Sequence, residues 1–228
     1  MAGTNVQTDL QVASTRRYIP RVTQNTATPQ RASSSSRAKI LDPRSVALVA
    51  VFAALIVAAA LVPGIPVGAL AVPITLQTLA VMLAGLSLGA VRGGLAALLY
   101  LALGFAGLPV FSGGRSGLQV MTTPSAGYLV AFVVAAFVVG LAAQQILRRA
   151  RTAWRLPLFF LAAMVTSVVF VHTLGVLGMT VTADMSLREA FTADLVFYPG
   201  DIIKNVVAAI AATAIHRAFP DILVRRVR

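Results

Sequence analysis

The chain has 228 residues, 58% of them hydrophobic and 11% charged, whereas a soluble domain of this length carries about 25% charged residues; this is the composition of a polytopic membrane protein. It contains no cysteine and two histidines, His172 and His216, which excludes disulfides and thiolate chemistry and leaves too few imidazoles for a multi-histidine metal site. The formal charge of +12 raises the possibility of nucleic acid, and the placement of the basic residues argues against it.

Residues 1–42 differ from everything after them. They are rich in Ser, Thr, Gln and Arg, include the run Ser33-Ser34-Ser35-Ser36, and show no sustained apolar period, so a disordered, basic, cytoplasmic tail is expected there. No apolar core of the signal-peptide type follows Met1, so no cleavage for secretion is expected. Residues 43–228 read as one membrane-embedded domain. Six apolar segments follow, over 45–62, 71–90, 92–109, 127–147, 156–178 and 197–218, each near the ~20 residues that a spanning helix needs. The second and third are joined tightly at Gly89-Ala90-Val91-Arg92-Gly93. Period-2 alternation, the signature of a membrane barrel, is absent. The expected fold is therefore an all-α integral membrane protein with six transmembrane helices.

Arg37, Lys39 and Arg44 precede the first segment, Arg92 separates the second from the third, and Arg148, Arg149, Arg151 and Arg155 separate the fourth from the fifth. Arg217, Arg225, Arg226 and Arg228 follow the sixth. The alternate loops, 63–70, 110–126 and 179–196, hold only Arg115 and Arg188 as bases, together with Asp184, Glu189 and Asp194. Positively charged loops stay inside, so both termini are expected in the cytoplasm of a cell-membrane protein. Topology and the lipid bilayer account for the excess charge, and no nucleic-acid partner is needed.

Asp201 and Lys204 stand at the head of the sixth segment, just after Pro199-Gly200. Ionisable groups near hydrocarbon are unfavourable by about 2.5–3.5 kcal/mol each at a helix centre, so they point to function. Three residues apart on a helix, the two side chains share one face. Pro199-Gly200 suits a helix start and puts Asp201 near the positive end of the helix dipole. On the same outer side lies the loop Val110-Phe111-Ser112-Gly113-Gly114-Arg115-Ser116-Gly117, followed by Thr123-Pro124-Ser125-Ala126-Gly127-Tyr128. Glycines admit close backbone approach and aromatics supply an apolar wall, so this set forms a pocket suited to a small anionic molecule with amide-like groups.

Two further patterns bear on function. Ala50, Ala54 and Ala58 recur every four residues in the first segment, a ridge that permits close helix–helix approach; Gly85, Gly89 and Gly93 make a comparable ridge, assigned to packing within the chain. Gly85-Leu86-Ser87-Leu88-Gly89 matches G-x-S-x-G, and with His172 as base it would make an intramembrane serine hydrolase. That motif needs a strand–turn–helix context, however, and here it closes an apolar helix. No GxxxxGK[ST] phosphate loop occurs in the sequence, so no ATP hydrolysis by this chain is expected.

Three stretches together carry a resemblance: Val72-Pro73-Ile74-Thr75-Leu76-Gln77-Thr78-Leu79, the run from Leu98 to Phe111 containing Tyr100, Gly104, Gly107-Leu108-Pro109 and Phe111, and Phe197-Tyr198-Pro199-Gly200-Asp201-Ile202-Ile203-Lys204. In order, spacing and position relative to the six helices, residues 44–219 resemble the biotin-binding S component (BioY family) of energy-coupling factor transporters. Thr122-Thr123-Pro124-Ser125-Ala126-Gly127-Tyr128 departs from the Gly-Pro-Thr-Gly-Gly-Tyr that the family tends to show. The resemblance implies a substrate-binding subunit for extracellular biotin rather than an enzyme, with biotin as transported ligand and no cofactor or metal. It implies Asp201 and Lys204 as the core polar contacts, Arg115 as a partner for the ligand carboxylate, and Phe111, Gly127 and Tyr128 as residues shaping the pocket. It also implies that Ala50, Ala54 and Ala58 contact a membrane-embedded T component, with two ATPase subunits supplying the energy. An S component for another vitamin, or a self-sufficient biotin permease, is the alternative.

Overall fold

The computed structural model describes residues 42–66 and 72–223; the tail expected over 1–42, apart from Asp42, and the basic residues Arg225, Arg226 and Arg228 lie outside them. Among the described residues every regular element is a helix, with extended pairing confined to single bridges at Ile65–Ile74 and Phe111–Arg115. Helix α1 (Pro43–Leu61) starts on Asp42, whose side chain accepts from Ser45 N at 2.8 Å, with proline in the first turn. An N-cap acid and an early proline are both favourable where backbone N–H groups have no intrahelical partner. α1 buries Phe52, Ala53, Ile56, Ala59 and Ala60 and leaves Ala50, Ala54 and Ala58 exposed.

Helices α2 (Gln77–Leu88) and α3 (Ala90–Phe105) are separated by Gly89 alone, at φ 80°, a conformation glycine adopts without steric penalty. They have 12 and 16 residues, shorter than the apolar segments expected there, and α3 starts two residues ahead of its segment. The missing lengths are irregular for local reasons. Residues 72–76 include Pro73 and hydrogen-bond across to Ile65, and Gly107 at positive φ with Pro109 ends the helical run after α3. Hydropathy reads composition and does not register such breaks.

α4 (Ala126–Arg149) is the longest single helix and packs on α2, α3, α5 (Arg155–Thr166) and α6 (Thr173–Thr182). α5 runs into α6 through a π-helical turn, Ser167–His172. The 179–196 stretch, expected as a loop, contains a further helix, α7 (Leu187–Asp194), started by a reciprocal capping box between Ser186 and Glu189. One 3₁₀ turn then leads into α8 (Tyr198–Ala218). Among the described residues, four stretches are long and apolar enough to cross a membrane: Pro43–Leu61, Ala126–Arg149, Thr152–Thr182 and Leu187–Ala218.

Small residues set the helix spacing. A Cβ on Gly85 would overlap Ala136 O and Val139 of α4, one on Gly93 would overlap Gly85, and one on Gly140 would overlap the Gly89–Ala90 backbone. The glycine ridge of α2 and α3 thus packs within the chain. The periphery is apolar, with Val51, Leu161, Val169, Val181, Ile203 and Ile210 all exposed, as a lipid-facing surface requires.

Candidate ligand-binding site

A partly open cavity is lined by residues from five parts of the chain: 72–78, the 111–125 loop, the start of α4, the π-turn, and the head of α8 with the turn leading into it. Irregular backbone borders it on two sides, and at membrane depth such backbone is tolerated where it lines a cavity.

Asp201 and Lys204 lie in the first turns of α8 and are 4% and 8% exposed. Lys204 Nζ donates to Asp201 Oδ1 at 2.6 Å. Thr78 Oγ1, in the first turn of α2, donates to the same oxygen at 3.2 Å. On the other side, His172 Nε2 stands 3.4 Å from Asp201 Oδ2. His172 Nδ1 lies 3.0 and 2.9 Å from the two oxygens of Asp194, and Tyr128 Oη donates to Asp194 Oδ1 at 2.6 Å. The Tyr198 ring stacks on His172 with centroids 4.2 Å apart. Buried charges persist only when paired and hydrogen-bonded, and this cluster meets that condition from α2, α4, the π-turn, α7 and α8.

The aromatic wall follows from the motif around α3. Phe111 folds back over Gly104, where a Cβ would strike its ring, and meets Tyr100 edge-on at 5.5 Å and Phe105 at 5.4 Å. Gln77 Nε2 donates to Tyr100 Oη at 2.6 Å, tying this wall to α2. Between Phe111 and Arg115 the backbone makes a tight turn: Phe111 N donates to Arg115 O, and Gly113 and Gly114 both have positive φ. The Arg115 guanidinium donates to Ser112 O at 3.0 Å and Ser125 Oγ at 3.2 Å, which fixes a half-buried cation at the cavity. Ser125 belongs to the stretch that departs from the family pattern, so that departure reaches the cation's own contacts.

Of the residues singled out from sequence, Asp201, Lys204, Arg115, Phe111 and Tyr128 all line this cavity. Gly127 does not. It faces α6, where a Cβ would overlap Leu174 O and Gly178, while Tyr128 beside it lies over Gly175. Successive residues on a helix point about 100° apart, so one glycine–tyrosine pair serves a helix contact and a cavity at once. His172 was considered as a base for Ser87; its two ring nitrogens face Asp194 and Asp201 instead, and Ser87 ends a helix rather than a strand. Sequence reasoning missed Thr78, Gln77, His172 and Asp194. Thr78 and Gln77 fall inside the first stretch quoted above. Asp194 and His172 gave no local signal beyond being an acid and an imidazole beside apolar segments. Among the described residues, no group of three or more acids and imidazoles forms a metal site.

Comparison with known proteins agrees with this architecture. The family model described as the BioY family matches residues 30–221. The chain is 41% identical over 181 residues to a biotin transporter BioY from Rhizobium etli, covering 79% of this chain and 97% of the relative. It is 42% identical over 192 residues to a biotin transporter BioY from Rhodobacter capsulatus, covering 80% of this chain and 98% of that one. Its fold is similar to the crystal structure of the S-component for biotin from an ECF-type ABC transporter, with a TM-score of 0.71 at 28% identity, covering 80% of this chain and 94% of that chain. These relatives are transporters rather than enzymes, and like them the chain is a multi-pass protein of the cell membrane. The chain belongs to the BioY family.

Proposed function

We propose that this chain is the substrate-capturing membrane subunit of a biotin uptake system. The observation that carries the proposal is the buried Asp201–Lys204 pair at an aromatic-walled cavity, in a chain whose relatives are named biotin transporters. Biotin has a ureido ring that donates and accepts hydrogen bonds, an apolar thioether ring and a carboxylate. Asp201 accepts from the ureido N–H groups, Lys204 donates to the ureido oxygen, and Arg115 pairs with the carboxylate. Phe111 and Tyr128 enclose the rings between them.

The six apolar segments each cross the bilayer, both termini lie in the cytoplasm, and the cavity opens outward. The distribution of arginines supports this reading. Energy comes from a membrane-embedded T component and two ATPase subunits. The exposure of Ala50, Ala54 and Ala58 along one face of α1 supports that face as the docking surface, since small side chains permit close helix contact.

The test is ligand-dependent stability. Added biotin is expected to raise the melting temperature of the purified protein, as any ligand of the native state does, and an unrelated vitamin is not. Stabilisation by the other vitamin alone would overturn the biotin assignment, and uptake by this chain without partner subunits would overturn the energised assembly. The chain has no cysteine, so single cysteines report topology directly. Those at Gln119 and Asp184, both exposed, are expected to react with impermeant thiol reagents on intact cells, and one at Arg149, also exposed, is not.

A further inference from the structure

Asp194 is fully buried, yet it does not line the cavity. A buried carboxylate in an apolar bundle is costly, and the hydrogen bonds show what holds it. Tyr128 Oη donates to it from α4, and His172 Nδ1 faces both of its oxygens. The other nitrogen of the same imidazole faces Asp201. One imidazole thus stands between two carboxylates, and the series Asp194, His172, Asp201, Lys204 alternates acid and base.

Asp201 shows why this series matters. Lys204 and Thr78 both donate to Oδ1, so neither of them holds the second oxygen. Among the described residues His172 is the group that reaches Oδ2. Its own ring is fixed twice, by Asp194 at Nδ1 and by the stacked Tyr198. It also ends a π-helical turn, a rare local geometry that concentrates at functional sites. We propose that His172 and Asp194 are positioning residues: held by Tyr128, they fix the second oxygen of Asp201 so that its carboxylate meets the ligand in one orientation. The inference rests on the reading of Asp201 as a biotin contact.

The test is a set of double-mutant cycles on the purified full-length protein, with biotin titrated to millimolar concentration. His172→Gln and Asp194→Asn are each expected to weaken biotin binding about tenfold in the otherwise native chain, and to add almost nothing once Asp201 is already Asn, because coupled groups fail to add. Losses that multiply fully with Asp201→Asn would show that the two residues act on the fold and not through Asp201, and would overturn the proposal. So would unchanged affinity in both single variants. If the His172 variant does not fold, Tyr128→Phe still decides: it removes one hydroxyl from the far end of the series, and several-fold weaker binding that disappears in the Asp201→Asn background is expected, with no such coupling as the contrary result. Failure of the native chain to bind biotin would overturn the proposed function, a result separate from any difference among variants.

Discussion

The head of α8 and the seam where α2, α3 and α4 meet are both deeply buried, and they are built on opposite principles. At the seam, Gly85, Gly93 and Gly140 let backbone touch backbone, and a single added carbon has nowhere to go. At the head of α8 the groups are large and polar, and what matters is which donor faces which acceptor. Steric fit therefore governs the fold in one region, and polar pairing governs the ligand in the other. Substitutions at the two places are expected to separate stability from binding.

The largest effect is expected at the polar region. Asp201→Asn and Lys204→Ala should each weaken biotin binding by about 2–5 kcal/mol, as when one partner of a buried charge pair is removed, while the melting temperature without biotin changes much less. Calorimetric titration beside a thermal melt checks both, and normal binding by both variants would leave the pair a purely structural one. Next in size, Gly85→Val should destabilise the protein by about 1–3 kcal/mol through overpacking against Ala136 and Val139, and the fraction that folds should bind biotin as before. A Gly85→Val protein that is stable but has lost biotin binding would merge the two regions into one. Arg115→Ala should lower affinity by about 1 kcal/mol, because its guanidinium is half-exposed and screened; biotin amide, which lacks the charge, should bind the variant and the native chain alike. The smallest effect on the chain itself is expected from Ala54→Trp on the exposed face of α1. Biotin affinity should be nearly unchanged while co-purification with partner subunits falls. Lost folding would place the alanines in intrachain packing instead.

The polar region was partly legible in the sequence, since an acid and a lysine three apart in an apolar segment are hard to explain otherwise. Their neighbours were not. Thr78 and Asp201 are 123 positions apart, and only the folded bundle joins them. Asp194 stood in what read as an outward loop, because the short amphipathic α7 lacks the length that marks a spanning segment. Gly127 was grouped with Tyr128 because the two are adjacent, although adjacency on a helix separates directions. The seam was legible as a glycine ridge, and its partner helix was not, because spacing gives a face without saying what covers it. The breaks before α2 and after α3 escaped for a different reason: Pro73, Gly107 and Pro109 alter backbone geometry while the surrounding side chains stay apolar.

The π-turn between α5 and α6 also solves a problem of phase. Along this rod one line of buried positions, Phe159, Ala163, Ser167, Val171, Gly175 and Met179, advances in uniform steps of four, flanked by the buried Thr166, His172 and Val176. In a regular α-helix each such step overruns the 3.6-residue turn by about 40°, so five steps would carry the stripe more than halfway round the rod and expose its far end. The wider turn at Ser167–His172 takes part of that overrun back. The rod can thus keep both Phe159 and Gly175 facing inward, and because the wide turn absorbs about one extra residue, deleting one there would restore ideal helical geometry with everything beyond it still on its partners, the loss falling on the turn's own residues.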